Sequence, residues 1–413
     1  MAPPEILYTG SFLFPEGDAA AARVLGIAKA LRESGHEVIL AGGEEQLGNY
    51  SFAGFTCCPQ GHLNRTGNAL QHFIRSASAG RSALPRLALE NRPAAILAYD
   101  PPTAMLLRLL HYARAARIPL ILDLTEWRDG AHLPGGRLGA RSVDNQLRMR
   151  YLYPRAGHVI AVSSYLAGFY RARGCRVLRV PPLVDLEQPK WQTAPAVSSG
   201  PLRLVYAGNP GKKDLLSHVI QGLDLLGSGR QDLELHLIGL TAGQIAALMG
   251  GDTAVLARLG RSIVYQPRAP QSSVPQLLAS CDYSVLLRPH SRYAEAGFPT
   301  KLVESLAAGL PIITNVTSDI SEYVRDGQEG AIVPDDSPAA FAQTVRRVLA
   351  LPKDRRQSMR EKAKERARFS FDYREHSAEI GHFIDQAIHT LTNERNHLHV
   401  RNLRSPWRAW HHH

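Results

Sequence analysis

Short apolar runs alternate with helical stretches along most of the chain. Ile6-Leu7-Tyr8 predicts a strand ending at Gly10, and Val24, Ile27, Ala28 and Leu31 fall at helical spacing within 19–34. Gly35 suits the position just past that helix. Further strands are expected at 37–41, 94–98, 119–124 and 158–162, with helices near 102–116 and 143–155. Such alternation predicts a parallel sheet covered on both faces. The pattern breaks at 186–201 (LEQPKWQTAPAVSSGP), whose Pro, Ser and Ala content reads as a linker. It restarts with a strand at Leu202–Ala207, the loop Gly208-Asn-Pro-Gly-Lys-Lys213 and a helix from Asp214. Strands at 234–238, 262–265, 283–287, 312–314 and 331–333 follow, then a charged helix at 352–367. A last helix at 373–391 carries Ile380, Phe383, Ile384, Ala387 and Ile388 on one face.

The expected fold class is therefore α/β, with two Rossmann-like doubly wound domains. They cover 1–190 and 202–370 and are joined by a linker at 191–201, with the ligand in the cleft beyond the carboxyl ends of the strands. A helix at 371–393 is expected to cross back to the first domain, followed by a basic tail at 394–413.

Composition narrows the function. A chain of 413 residues suits two domains, and 44% hydrophobic with 21% charged residues excludes wholesale disorder. Lys and Arg exceed Asp and Glu by 11, which asks for a polyanionic partner. No apolar run reaches the roughly 18 residues of a spanning helix, and no basic region precedes an apolar stretch at the start. Cys57, Cys58, Cys175 and Cys281 lack metal-ligand spacing, as do the scattered histidines, so no metal site is expected and a reduced, cytoplasmic chain is. Neither GxGxxG nor GxxxxGK[ST] is present, so dinucleotide oxidoreductases and P-loop NTPases lack their signatures. No helix-turn-helix, RRM or zinc pattern supports nucleic acid as the partner. Arginines mix with apolar and aromatic residues at 65–92 and 137–155, which suits an anionic membrane surface and a peripheral location.

Chemistry concentrates at 291–315, SRYAEAGFPTKLVESLAAGLPIITN. A loop containing Gly297 and Pro299 enters a helix, with Thr300 as the expected cap and Gly309 as its end. A helix start offers free amides and a positive dipole end to phosphate. Glu304, one turn in, can accept two hydrogen bonds from a vicinal diol such as a ribose.

This segment resembles the family 4 glycosyltransferases, retaining enzymes of the GT-B fold. Their pattern is Glu-Gly-Phe-Gly-x-Pro-x-x-Glu-Ala-x-Ala-x-Gly-x-Pro-Val. Gly297, Phe298, Glu304, Ala307, Gly309 and Pro311 match in register, whereas Ala296 replaces the first Glu and Glu295 lies one residue early. The resemblance implies a nucleotide-sugar donor (UDP-, GDP- or dTDP-linked) and no cofactor. Glu304 would hold the ribose. Gly297, Phe298, Pro299, Thr300, Lys301 and Glu295 would border the donor. It also implies a diphosphate site in the loop after 202–207, at Gly208, Asn209, Lys212 and Lys213. Lys213 is the favoured cation there. Asn209 stands where the family has Arg, and Arg288 is the candidate to replace that guanidinium.

Further carry-over is by position. Gly17 and Asp18 resemble the family's glycine loop, or form a turn and a helix cap. Asp123, Glu126 and Trp127 follow the fourth strand. Glu126 is the candidate to bind sugar hydroxyls or take the acceptor's proton, Asp123 to do likewise or be a buried partner, and Trp127 to stack on a sugar. The implied activity is metal-independent transfer, with retention, to a glycan or polyprenyl-linked acceptor in bacterial surface-polysaccharide biosynthesis. Epimerase, inverting transferase and silent partner subunit remain alternatives.

Overall fold

The computed structural model describes residues 3–14, 19–43, 49–58, 92–192, 200–227 and 230–403. Two sheets organise them. The first has eight strands: β1 (Glu5–Leu13), β2 (Glu37–Gly43), β3 (Tyr50–Phe52), β4 (Phe55–Cys57), β5 (Ala95–Tyr99), β6 (Leu120–Leu124), β7 (His158–Ala161) and β8 (Arg176–Arg179), in the order β3-β4-β2-β1-β5-β6-β7-β8. Only β3 runs antiparallel, against β4. The accompanying helices are α1 (Ala19–Glu33), α2 (Thr103–Ala116), α3 (Ala140–Leu147) and α4 (Ser164–Arg171).

The second sheet has six parallel strands: β9 (Leu202–Ala207), β10 (Leu233–Ile238), β11 (Ile263–Gln266), β12 (Tyr283–Leu286), β13 (Ile312–Asn315) and β14 (Gly330–Val333), ordered β11-β10-β9-β12-β13-β14. Its helices are α5 (Leu216–Asp224), α6 (Ala242–Leu248), α7 (Ala254–Leu259), α8 (Val274–Ala279), α9 (Arg292–Ala296), α10 (Thr300–Ala307), α11 (Ile320–Tyr323), α12 (Pro338–Leu349) and α13 (Lys353–Phe371). Finally α14 (Tyr373–Leu403) returns to the first sheet, burying Ile380, Phe383, Ile384 and Ala387 against Val24, Ile27, Ala28 and Leu31 of α1. Side chains of that size are worth about 1.5–3 kcal/mol each when fully buried. The helix outruns its expected end at 391 because no proline interrupts it before Pro406.

Three departures have local causes. β1 continues past Gly10 to Leu13, with a register shift after Thr9. Gly10 (φ +155°) passes so near β5 that a Cβ there would lie 2.5 Å from the Tyr99 carbonyl oxygen. The expected long helix at 143–155 instead breaks into α3, a π turn and a 3-10 turn, Pro154 lying in the last. The start of the expected linker is packed: Leu186 and Trp191 are buried, and Lys364 donates to the Trp191 carbonyl at 2.6 Å.

The chain crosses between sheets after β8 and again at the junction of α13 and α14. The two crossings are bonded together: Val184 N donates to Phe371 O at 2.8 Å and Tyr373 N to Val184 O at 3.0 Å. Further ties join the domains near the cleft. Ser163, the N-cap of α4, donates through Oγ to Ala296 O at 2.8 Å, and Arg179 binds Asp319 and Glu322 at 3.0 and 2.6 Å.

Candidate active site

A cavity of about 370 Å³ opens between the two sheets at the carboxyl ends of β5, β6, β9 and β12. From the first domain it is lined by Arg23, Tyr99, Thr125 and Glu126, among others. The second domain contributes the loop Asn209–Asp214, Arg288, Tyr293, Phe298 and the start of α10. Its charged walls carry five cations (Arg23, Lys212, Lys213, Arg288, Lys301) against Glu126 and Asp214, so it favours an anion.

Gly208 turns the chain out of β9 with φ +86°, and Asn209 Oδ1 accepts from Gly211 N at 2.8 Å, folding the loop back. Lys212 is exposed at the mouth, whereas Lys213 points across the cleft. Lys213 Nζ lies 2.9 Å from Glu126 Oε2 and 4.1 Å above the Tyr293 ring. Asp214 organises the next layer: it accepts from Tyr206 Oη at 2.6 Å and Lys301 Nζ at 2.9 Å, and lies 3.7 Å from Arg288 Nε.

Arg288 is 1% exposed, yet its Nε and Nη1 have no hydrogen-bond partner among the described residues. Burial pulls its pKa down, against the Asp214 charge. A guanidinium held dry, short of hydrogen-bond partners and bordering a cavity is a ready anion ligand.

At the start of α10 the residue before the helix is Pro299, not Thr300, and it makes no side-chain cap bond. The expected Thr300 cap is thus corrected: Thr300 is the first helical residue. Among the described residues no side-chain cap bond is made at this helix start, and Pro299, Thr300 and Lys301 border the cavity. Glu304 is half-buried one turn further along, set back from the cavity wall, with no side-chain partner among the described residues. Burial raises its pKa, with Lys301 and Lys190 opposing.

Several sugar-contact expectations, in both domains, are corrected. Asp123 is fully buried and accepts from Tyr8 Oη at 2.6 Å and Arg23 Nη2 at 2.6 Å, so it is the buried partner and cannot meet a sugar. Trp127 is 2% exposed, wedged 4.6 Å from Phe169 with Arg292 over its face at 4.8 Å, which leaves no face for a sugar. Burial pushes the Glu126 carboxyl up, but Lys213 and Arg128 outweigh it and hold it down at about 2. A carboxylate that acidic is a weak general base near neutral pH. Glu295 turns away to accept from Ser318 N at 2.8 Å, beside His290. Phe298 packs on Tyr323 and Phe371 and Gly297 lies at the domain interface, within reach of Lys213. Gly17 and Asp18 lie outside the described residues, as does most of 65–92.

Asp214, Tyr293, Thr125 and Asp100 were not singled out by sequence. Asp100 follows β5 directly with φ +35°, and its carboxylate accepts from the Thr125 hydroxyl. Burial raises its pKa to about 7, helped by the Glu126 and Asp123 charges and opposed by the Thr125 hydrogen bond.

Comparison with known proteins agrees with this architecture. Residues 18–183 match the glycosyl transferase 4-like domain, and residues 187–366 match the glycosyl transferases group 1 family. The chain belongs to the GT-B glycosyltransferases. A protein of Escherichia coli named for colanic acid biosynthesis, the glycosyltransferase WcaL, is 24% identical over 75% of this chain and 74% of its own. The WcaL of Salmonella typhimurium is 30% identical over 76 residues, so the match spans only 18% of this chain and 19% of that one. Among solved GT-B structures, the sucrose-phosphate synthase of Thermosynechococcus elongatus superposes with a TM-score of 0.69 at 14% identity, over 94% of this chain and 100% of that one. Anabaena HepE, solved with UDP and glucose, gives 0.63 at 16% identity over 93% and 99%.

Proposed function

We propose that this GT-B glycosyltransferase takes a sugar from a nucleotide-sugar donor and passes it, with retention of configuration, to a glycan or polyprenyl-linked acceptor in surface-polysaccharide biosynthesis. The observation that carries the reading is the buried Arg288 guanidinium, short of hydrogen-bond partners, bordering the same cavity as Lys213, Lys301 and the start of α10. As the anomeric bond breaks, charge grows on the leaving diphosphate, and these groups are aimed to stabilise it without reorganising. Glu304, one turn along α10, holds the ribose in this reading. In this reading the acceptor's proton goes to the leaving diphosphate, whose charge grows as the anomeric bond breaks.

The names of the WcaL relatives support a polysaccharide role, and the HepE complex supports a nucleotide-linked donor. A basic, apolar face supports a lipid-linked acceptor at an anionic membrane. Leu138, Val143, Leu147 and Tyr151 are 93, 56, 46 and 63% exposed, beside exposed Arg137, Arg141, Arg150 and Arg155. No helix among the described residues is long and apolar enough to cross a membrane.

The test is a screen of UDP-, GDP- and dTDP-sugars by thermal shift and by donor turnover, with and without EDTA. The reading expects stabilisation by one nucleotide series, EDTA-resistant turnover and an unchanged anomeric configuration by NMR. Donor epimerisation without acceptor, or neither stabilisation nor turnover across the screen, overturns it.

A further inference from the structure

Glu126 stands at the end of β6 in the first domain, and Lys213 follows β9 in the second. Their side chains meet across the cleft at 2.9 Å, 28 and 22% exposed for Lys213 and Glu126. The other carboxylate oxygen of Glu126 lies 2.5 Å from Arg128 Nε, on its own domain. Glu126 therefore has one cation that moves with it and one that does not. Lys213 has its ammonium shared between that carboxylate and the Tyr293 ring.

A diphosphate seated on Arg288, Lys213 and the start of α10 would bring more negative charge to the ammonium that Glu126 now occupies. Two anions compressed onto one cation repel in a partly desolvated site, so the weaker one leaves. Arg128 makes that exchange inexpensive. Without it, displacement would strand a half-buried carboxylate, whereas with it Glu126 stays paired.

We propose that Glu126 is an internal stand-in for the donor diphosphate, a positioning residue that holds Lys213 across the closed cleft of the free protein and surrenders it to the incoming donor. The inference rests on the reading of this cavity as the donor site. Glu126 lowers donor affinity by competition and retakes Lys213 as the diphosphate departs, which speeds release. No bond is made or broken in this step.

Calorimetric titration of the full-length protein with UDP, GDP, dTDP and inorganic pyrophosphate tests it. Glu126→Gln is expected to tighten binding about two- to fivefold, the range of a partly exposed ion pair. Arg128→Met is expected to weaken it, because the displaced carboxylate then lacks its second partner. The gain from Glu126→Gln is expected to vanish in the Lys213→Gln background. Opposite signs for the two first variants distinguish competition from general damage. If the wild type binds a probe while Glu126→Gln binds it equally or less tightly, the stand-in role is overturned and the donor site stands. If no probe binds the wild type and Lys213→Gln changes nothing, the donor-site reading falls and takes this role with it.

Discussion

The Lys364 ammonium of α13 donates to the Ala307 carbonyl, 2.6 Å away, at the last residue of α10. The same nitrogen donates to Trp191 O at 2.6 Å. A cation at a helix C-terminus satisfies orphan carbonyls and complements the dipole. Here it also fixes the far end of the helix whose near end borders the cavity. Lys364→Met keeps the aliphatic stem and removes both bonds. We expect a loss of about 1–3 kcal/mol in urea unfolding, and a weaker donor response without loss of the fold.

Arg288 separates stability from function. Its buried Nε and Nη1 have no hydrogen-bond partner among the described residues and Asp214 lies 3.7 Å off, so the folded protein gains little from them. Arg288→Met should leave the melting temperature unchanged or raised, while nucleotide diphosphate affinity falls at least about tenfold. A fall in melting temperature with unchanged affinity would refute this.

Glu304→Ala removes the carboxylate proposed to hold the ribose. Nucleoside diphosphate binding should be lost, while pyrophosphate binding, which has no ribose to lose, should persist. Wild-type turnover in this variant would refute the ribose assignment.

Asp100 gives a pH signature. Its folded pKa of about 7 lies above the ordinary 3.8, chiefly through burial. The folded protein then holds a proton that the unfolded chain has released, so this group's contribution to stability declines as pH rises from about 4 to 7. Asparagine tolerates the positive φ at this position. Asp100→Asn should therefore flatten the slope of unfolding free energy against pH over that window. An unchanged slope would contradict the shift.

Much of this was readable in the sequence because buried parallel strands are short continuous apolar runs, and each of those predicted lies within two residues of an observed one in the second domain. The β3–β4 hairpin was not, since its turn is Ala53-Gly54 and an alanine at φ +51° carries none of the usual Asn-Gly signal. At the cavity, the amides at the start of α10 were legible from the helix start itself, whereas Lys213 and Arg288 were legible only through the resemblance to the family 4 glycosyltransferases. Asp214 was not, because its meaning comes from Lys301, 87 residues away, and from Tyr206 and Arg288 on two other strands' ends. Glu126 lines the cleft where it was expected, but nothing local shows that Lys213 and Arg128 would both reach its carboxylate.

The Val184 ladder to Phe371 and Tyr373 makes the two chain crossings mechanically one. Two separated tethers would leave the lobes free to slide or twist by unequal amounts. Stitched together, they form a single pivot point between the lobes. Any rotation about it would have to break the Glu126–Lys213, Ser163–Ala296 and Arg179–Asp319 contacts together rather than one at a time.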